Sequence, residues 1–548
     1  MMVTILEEKI KQNKENLIVF AGTVLAGLLV HLFMFTNKLY NYFEMNNILT
    51  EMSYDKGDTL AMGRWFLPIV SKISSVVSMP VVNGLICLIC LGIAAVLIKD
   101  MLEIRGCLLG ILLGSVLVSF PGVASYLSYG VNCDVFSVAF LLAIIAAYIP
   151  WKFGAVSVRE EADDKRPTGA GRRIVILSIS AIILALCIAT YQPFMSVTIA
   201  LIFARVFLDV CNNGIGIVTF IKKAGLYLSA LIVGFVLYYV ILKVFNAVMQ
   251  IEVGNYHGIN EMTSFTIKGI AKGFVYTYLY FFRYLFDITY TGSVFLSIMN
   301  GIMSASFIGF GIMCCIRNHK AGNTILIVVM MLFLPVGVNA CPFLMADRVG
   351  NGVDRYMMFS MMLLFALLIA FISFANQEKD KQTFVLQWAA FAGVFALVIC
   401  DSYIINQTYF RADAMTKSEN NYLNRLVGRI EDFDGYTADT PVYIVGAEQP
   451  FNENAYSNEL LENLALVEGT EIKPWYNYDA LIKYMEVYMN FTVTKVSKEF
   501  QEQFTLEAMT EGTTLHDLPV YPAKGSMVLV DDILIIKMNQ VELPDEEE

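Results

Sequence analysis

The sequence predicts an α-helical polytopic membrane protein that ends in a small α/β domain, and three observations predict this fold. Of the 548 residues, 57% are hydrophobic and only 16% are charged, whereas soluble globular proteins carry about 25% charged residues. Apolar stretches recur from Leu17 to Ile405, and a helix needs roughly 20 such residues to cross the hydrocarbon core of a bilayer. After Gln407 short alternating segments replace these stretches.

The apolar stretches predict about eleven membrane-spanning helices. The third and fourth are short for a crossing, so we expect their ends to extend into the polar flanks. The predicted spans are 17–35, 80–98, 107–120, 135–149, 174–190, 194–210, 224–245, 294–316, 324–338, 357–374 and 385–405.

Lysine and arginine residues collect in every second loop between these spans. Because short cytoplasmic loops are enriched in Lys and Arg, this pattern places the N-terminus in the cytoplasm. An odd number of crossings then places the C-terminal part outside. The basic residues on the predicted inner side are Lys9, Lys11, Lys14, Lys99, Arg105, Lys152, Arg159, Lys165, Arg166, Arg172, Arg173, Lys222, Lys223, Arg317, Lys320, Lys379 and Lys381.

Charge divides the chain into a membrane domain, 1–406, and a soluble extracytoplasmic α/β domain, 407–548. The second part carries 10 basic and 26 acidic residues, and the first carries 28 and 23. No clustered basic face on a soluble domain is visible, so a nucleic-acid partner is excluded. We expect the second domain either to contact an acceptor substrate or to support the membrane domain. Its predicted elements are helices at 414–430, 458–466 and 478–488, a strand at 442–445, and a hairpin of 526–530 and 533–538.

The sequence does not indicate a metal or nucleotide cofactor. All ten cysteines lie within or beside apolar stretches, where they are typical small buried hydrophobes. The four histidines are far apart in the chain, and no Walker sequence or paired-cysteine motif occurs. Any substrate that this protein transfers would therefore have to be chemically activated before it binds, because no nucleotide-hydrolysis motif is present.

The first outer loop, 36–79, is long and rich in carboxylates, with Glu44, Glu51, Asp55 and Asp58 ahead of Arg64. A hydroxyl group is a poor nucleophile until a positioned carboxylate takes its proton, so one of these acids could be a general base. Simple solvation of exposed loop carboxylates is the alternative. The following residues, 65–77, are apolar with serines interspersed, which predicts a helix in the plane of the membrane interface.

Further polar residues precede later spans. Arg348 and Arg355 stand beside Asp347 and Asp354 before the tenth span. A guanidinium fork matches phosphate oxygens, although each arginine could instead pair with its aspartate neighbour.

The outer loop 246–293 contains an aromatic stretch, 274–286, that predicts an interfacial or re-entrant helix. This helix could receive a polyprenyl chain or simply form an aromatic belt at headgroup depth. Asp134 before the fourth span and Tyr191 with Gln192 between the fifth and sixth could bind sugar hydroxyls, or the latter pair could just close a hairpin.

Several short motifs resemble one known family. The stretch 37–41, Asn-Lys-Leu-Tyr-Asn, is followed by acidic residues and then by Gly63-Arg64-Trp65 with Leu67-Pro68. This order resembles the start of the bacterial type II (Gtr) glucosyltransferase family, and Tyr191-Gln192 at the end of a span is also similar. The resemblance implies a GT-C fold and an acid of the first outer loop as base.

It also implies transfer of glucose from undecaprenyl phosphate glucose to a cell-surface polysaccharide, as in O-antigen modification, at the bacterial cytoplasmic membrane. The implied partners are the lipid-linked donor, the polysaccharide acceptor and membrane lipid.

This chain departs from the family pattern at the implied base. Relatives tend to show Asp soon after the position of Asn41, where this chain has Phe43-Glu44. The base therefore stays open between Glu44, Asp55 and Asp58, with Glu44 favoured by its position. The substrate-binding candidates are Arg64, Asp134, Tyr191, Gln192, Arg348 and Arg355.

Two rival functions come from other classes. A flippase for lipid-linked glycans should carry charges deep within its spans, whereas Arg205, Asp209 and Lys243 lie near span ends. An envelope scaffold would not need the acidic first loop. A polysaccharide polymerase is the harder rival, because it also handles lipid-linked sugar at the outer face.

Overall fold

A computed structural model gives the fold for residues 2–39, 56–74, 79–157, 169–251, 267–317, 321–344, 357–378, 383–447, 461, 463–470 and 478–541. The chain divides into two compact units. The first unit comprises Met1–Thr36 and Ser53–Asn406, and the second comprises Asn37–Met52 and Gln407–Glu548.

The first unit is a bundle of α-helices, and its last helix continues past Asn406, where the unit ends. Its helices are α1 Met2–Asn37, α2 Lys56–Ala61, α3 Leu67–Val70, α4 Pro80–Met101, α5 Cys107–Ser119, α6 Pro121–Leu127, α7 Cys133–Lys152, α8 Ala170–Thr190, α9 Met195–Asn213, α10 Ile217–Met249, α11 Ile267–Phe286, α12 Ile288–Thr291, α13 Val294–Arg317, α14 Ala321–Leu332, α15 Leu334–Val338, α16 Ala340–Leu344, α17 Met362–Glu378 and α18 Phe384–Glu431. Single 3₁₀ turns occur at Ser71–Ser74, Gly130–Asn132, Gln192–Phe194 and Phe359–Met361.

These helices confirm the predicted multi-pass class. By length and composition, nine helices of the described part could cross a membrane, or ten if one bent pair is a single span. The predicted third span corresponds to that pair, α5 and α6, which meet at an angle of 50°. The predicted ninth span falls on α14, which has only 12 residues and is followed by α15. The finer count of eleven therefore stays a prediction.

The bend between α5 and α6 has a local cause in the sequence. Phe120 is extended, with φ −61° and ψ 127°, because the residue before a proline is disfavoured in the helical region and Pro121 has no N–H to continue the helix. His31 of α1 donates from Nε2 to the carbonyl of Val118 over 2.8 Å. The Val118 carbonyl next to the break therefore accepts a hydrogen bond although it lies in the interior of the bundle.

Helix α1 packs closely on α4 and α5 through glycines. A Cβ atom on Gly114 would lie 1.9 Å from Oγ1 of Thr23, and one on Gly27 would lie 2.4 Å from the Leu88 side chain. Small residues allow such close approach of helices, which replaces the hydrophobic driving force that is missing in lipid.

A buried ion-pair network joins α4, α9 and α10. The Arg205 guanidinium donates to the carbonyl of Met101 over 2.8 Å and pairs with Glu103 at 2.9 Å. It also pairs with Asp209, whose second oxygen lies 3.0 Å from Nζ of Lys223. Removing one member would leave a buried charge without its partner.

Helix α18 contains a buried acid that the sequence reasoning passed over. Asp401 is only 4% exposed and lies on the same stripe as the buried residues Val394, Leu397 and Ile405. Like Arg205, Asp209 and Lys243, Asp401 lies near the end of a predicted span, four positions before residue 405. Ionisable groups at membrane depth are costly and usually have a function.

The predicted interfacial helix 65–77 corresponds to α3 and the 3₁₀ turn after it, and it begins two residues later than predicted. Helix α3 has four residues and is followed directly by the 3₁₀ turn Ser71–Ser74. The Ser71 hydroxyl donates to the carbonyl of Pro68 over 3.1 Å. Such side-chain hydrogen bonds to the backbone compete with the helical pattern, which accounts for the short length. Residues 75–78 lie outside the described part.

The second unit contains a three-stranded sheet of order β1-β3-β2. Strand β1 (Val442–Val445) runs parallel to β3 (Ile533–Lys537), and β2 (Met527–Val530) runs antiparallel to β3. The predicted strand and hairpin are thus present. Asp531 and Asp532 connect β2 to β3 with φ of 49° and 61°, the positive values that a two-residue type I′ turn requires.

The helices of this unit differ from the predicted ones. The predicted helix 414–430 is the continuation of α18, because no glycine or proline interrupts residues 406–413. Residues 463–466 form turn and irregular structure, so the predicted helix 458–466 does not extend there. The other helices are α19 Tyr478–Met489, which matches the predicted 478–488, α20 Lys498–Met509, which was not predicted, and α21 Thr514–Asp517.

Candidate active site

Arg64 is held by the turn that joins α8 to α9. Its Nε donates to Oε1 of Gln192 over 3.3 Å, and its guanidinium carbon lies 5.2 Å from the ring centroid of Tyr191. The Gln192 amide also donates to the carbonyl of Met62 over 2.7 Å. The turn therefore fixes both the backbone and the side chain of the segment that carries Arg64. These contacts lie at the end of the bundle where α8 and α9 meet.

The backbone before Arg64 depends on a glycine. Gly63 has φ of +70°, and its carbonyl accepts a hydrogen bond of 3.1 Å from the hydroxyl of Tyr238. A Cβ atom at Gly63 would lie 2.6 Å from that hydroxyl, so both the conformation and the close approach require glycine. The sequence alone does not indicate Tyr238, because nothing in the apolar helix α10 distinguishes it from Tyr227 and Tyr239.

Asp134 is a buried carboxylate in the first turn of α7. It is 1% exposed, and neither of its oxygens accepts a hydrogen bond from the described residues. Oδ1 of Asn132 has no such partner either. The Ser74 hydroxyl and the backbone N–H groups of Asp134 and Val135 are near the carboxylate, and the Ser74 hydroxyl donates to the Ser71 carbonyl over 3.5 Å. Because an unpaired buried carboxylate is costly, this position favours a ligand or water that donates hydrogen bonds.

Two contacts bring Asp134 into the region of Arg64. Leu67 and Val70, just after Arg64, pack with Val135 in a buried apolar cluster. Phe136 lies with its ring centroid 4.7 Å from that of Tyr191. The structure therefore brings together four of the six predicted substrate-binding residues, Arg64, Asp134, Tyr191 and Gln192.

An aromatic layer extends from this region to the end of α11. We define it as Phe136, Tyr126, Phe359, Phe120 and Tyr284. Successive ring centroids along it are 6.3, 5.4, 5.7 and 6.0 Å apart. Phe120, at the helix break, contacts both Phe359 and Tyr284 in this layer, so the bend between α5 and α6 helps to position it. The layer links the Arg64 region to Tyr284 through ring contacts alone.

The other predicted site residues cannot be placed. Glu44, Asp55, Arg348 and Arg355 lie outside the described residues, and Asp58 belongs to α2 but its side chain also lies outside them. Their roles stay predictions. Among the residues that are described, no group of three or more His, Cys, Asp or Glu side chains is arranged to hold a metal ion.

Comparison with known proteins identifies the family. Residues 32–349 match the family described as Glucosyl transferase GtrII, which is more than half of the 548-residue chain. The matched region includes Arg64, Asp134, Tyr191 and Gln192, and it ends before Arg355. No curated protein and no solved structure gives a significant match. The suspected resemblance is thereby confirmed: the chain belongs to the GtrII glucosyl transferase family, and the protein is a glycosyltransferase.

Proposed function

We propose that this enzyme moves glucose, or a similar hexose, from a polyprenyl-phosphate-linked donor to a cell-surface polysaccharide. The observation that carries the proposal is the pairing of Arg64 with Gln192 and Tyr191 at the same end of the bundle as the unpaired Asp134. A cation, an aromatic face and an open carboxylate acceptor together match a sugar that is attached to a phosphate.

The hexose would be recognised by groups of complementary chemistry. An ionised Asp134 only accepts hydrogen bonds, and sugar hydroxyls donate them. The Tyr191 ring is buried and already contacts the Arg64 guanidinium, so it would contribute by holding Arg64 in place beside the sugar. Gln192 already uses one acceptor and one donor on Arg64 and Met62, so we assign it to positioning Arg64 rather than to direct contact.

The transfer would be an inverting displacement at the anomeric carbon. One acid of the first loop, Glu44, Asp55 or Asp58, takes the proton from the acceptor hydroxyl as its oxygen attacks. The bond from the sugar to the phosphate oxygen breaks, and polyprenyl phosphate leaves with the electron pair. Arg348 or Arg355 would carry the charge of the leaving phosphate. The scheme uses no metal or other cofactor.

The reaction is assigned to the extracytoplasmic face of the bacterial cytoplasmic membrane. The support for this orientation is the accumulation of Lys and Arg in alternate loops, which favours a cytoplasmic N-terminus. The C-terminal domain would then contact or support the polysaccharide acceptor outside the cell.

Membranes that contain the enzyme test the donor and the base together. Incubation with labelled polyprenyl phosphate glucose should transfer label into polysaccharide. Glu44→Gln, Asp55→Asn and Asp58→Asn are compared with Glu51→Gln, a control from the same loop. The variant that lacks the true base should transfer label about 10²-fold or more slowly than the unaltered enzyme, since general base catalysis contributes about that much.

The outcomes separate the parts of the proposal. If the unaltered enzyme transfers no label, the donor is wrong. If all three variants keep full activity, the assignment of the base is wrong. Growth of the polymer by whole repeat units, rather than addition of single labelled sugars, would favour a polymerase.

A further inference from the structure

Helix α11 exposes one continuous stripe of side chains. Its apolar members are between 40% and 65% exposed, and three basic residues on the helix are also exposed. Their spacing of three or four residues places them along one side of the helix. The members are Lys268, Lys272, Val275, Leu279, Phe282, Arg283 and Phe286.

The opposite side of α11 is packed against protein. Gly269, Gly273 and Thr277 are buried at intervals of four residues, which allows close approach to neighbouring helices. The helix contacts α13, α15 and α16, and the Phe274 ring centroid lies 5.1 Å from that of Phe343 in α16. The orientation of the stripe is therefore fixed by packing, and α11 is not among the candidate spans.

The stripe combines apolar area with unpaired cations. Within the described residues, none of Lys268, Lys272 and Arg283 forms an ion pair. An apolar strip flanked by cations is complementary to an amphiphile that has an anionic head and an apolar chain.

The two ends of the stripe differ in their distance from the site. Tyr284, the residue after Arg283, stacks on Phe120 at 6.0 Å and 20°, and Phe120 belongs to the aromatic layer that reaches Tyr191. Lys272 lies eleven positions earlier, which is about 16 Å along a helix. Arg283 is thus the cation of the stripe that lies next in sequence to a residue of the aromatic layer.

We propose that Arg283 binds the phosphate of the lipid-linked donor and that its isoprenoid chain lies along Phe282, Leu279 and Val275. The inference rests on the proposed function and adds the residue that anchors the lipid. Arg283 presents a fork of donors that matches phosphate oxygens. Its role is to hold the donor with the sugar directed towards Asp134 and Tyr191.

Binding of unglycosylated polyprenyl phosphate to the purified full-length protein tests this assignment without any transfer reaction. Arg283→Gln removes the anchoring charge, and Lys272→Gln is the matched control because it removes an exposed charge from the same stripe. We expect Arg283→Gln to raise the Kd about tenfold, because it removes charge-assisted hydrogen bonds to the phosphate. Lys272→Gln should change the Kd less than about twofold, and Arg283→Lys should retain part of the affinity.

Equal effects of the two Gln variants, or no effect of Arg283→Gln, would overturn the assignment. So would equal competition by an anionic phospholipid, which would make the stripe a general lipid contact. So the experiment can distinguish a failure of this inference from a failure of the proposed function.

If the unaltered enzyme transfers glucose while Arg283→Gln binds polyprenyl phosphate normally, only this inference fails. If it transfers no glucose but binds polyprenyl phosphate through Arg283, only the proposed transfer fails.

Discussion

The guanidinium of Arg64 lies 5.2 Å from the ring centroid of Tyr191 and is hydrogen-bonded to the next residue, Gln192, over 3.3 Å. Two consecutive side chains of one turn therefore hold the same cation, one through its π-face and one through an amide oxygen. Both interactions depend on the planar shape of the guanidinium, so the charge alone does not replace it.

Arg64→Lys should lower kcat/KM about tenfold, because lysine keeps the charge but loses the planar group that Tyr191 and Gln192 hold. Steady-state kinetics with the lipid-linked donor measure this. Lys72→Gln is the control, since Lys72 is an exposed cation in the 3₁₀ turn shortly after Arg64. Equal activity of Arg64→Lys and the unaltered enzyme would contradict a role for the guanidinium.

Asp134→Asn should reduce activity while the protein becomes no less stable. The change removes an unpaired buried carboxylate, which relieves a cost of about 1–3 kcal/mol or more, but it also weakens the acceptor that we assign to sugar hydroxyls. Thermal unfolding and transfer assays are to be measured on the same preparation.

Glu419→Gln provides a matched control for this variant. Glu419 is 3% exposed, and its Oε2 likewise accepts no hydrogen bond from the described residues, but it belongs to the second unit. It should show the same direction in stability with unchanged transfer. Full activity in Asp134→Asn would remove Asp134 from the site.

Asp209→Asn should destabilise the membrane unit strongly. Arg205 and Lys223 both pair with Asp209 in the interior, and breaking a buried pair costs about 3–5 kcal/mol. The melting temperature in detergent is the measurement. Lys495→Ala breaks the exposed pair with Asp479 and should cost less than about 1 kcal/mol. Similar losses in both variants would show that burial does not set the strength of the network.

Gly114→Ala should disturb the contact between α1 and α5. The added Cβ atom would lie 1.9 Å from Oγ1 of Thr23, and overpacking of this kind costs about 1–3 kcal/mol. Gly225→Ala is the control because nothing lies within 4 Å of a Cβ atom at that helical position. Unfolding midpoints of the two variants decide the matter, and an unchanged midpoint for Gly114→Ala would mean that the helices adjust freely.

The sequence predicts the helices well where hydrophobicity alone determines them. Each predicted span overlaps one or two helices of the described part, because the apolar runs have about the length that lipid requires. The turn at Asp531 and Asp532 was also predictable, since two polar residues between alternating strands favour such a turn. The third predicted span is short because its helix breaks at Phe120. The sequence alone favours extension into the polar flanks instead.

The remaining features depend on tertiary contacts that no local pattern encodes. Tyr238 is important because of its contact with Gly63, about 175 positions away in the chain, and hydropathy treats it as one more apolar residue. Asp401 was hidden because one acid does not lower the mean hydropathy of a long span. The sequence assigns Arg64 and Gln192 to the same outer side as candidate substrate-binding residues, but their contact and the burial of Asp134 depend on tertiary packing.

The hydrogen bond from His31 to Val118 has a consequence for biogenesis. A histidine in a hydrophobic segment is unfavourable in lipid on its own, and the carbonyl that Nε2 reaches belongs to a segment synthesised 87 positions later. The first segment thus enters the bilayer before this acceptor exists, and pairing with the later segment removes the cost. Early association of these two segments is therefore favoured during insertion, ahead of the crossings that follow them.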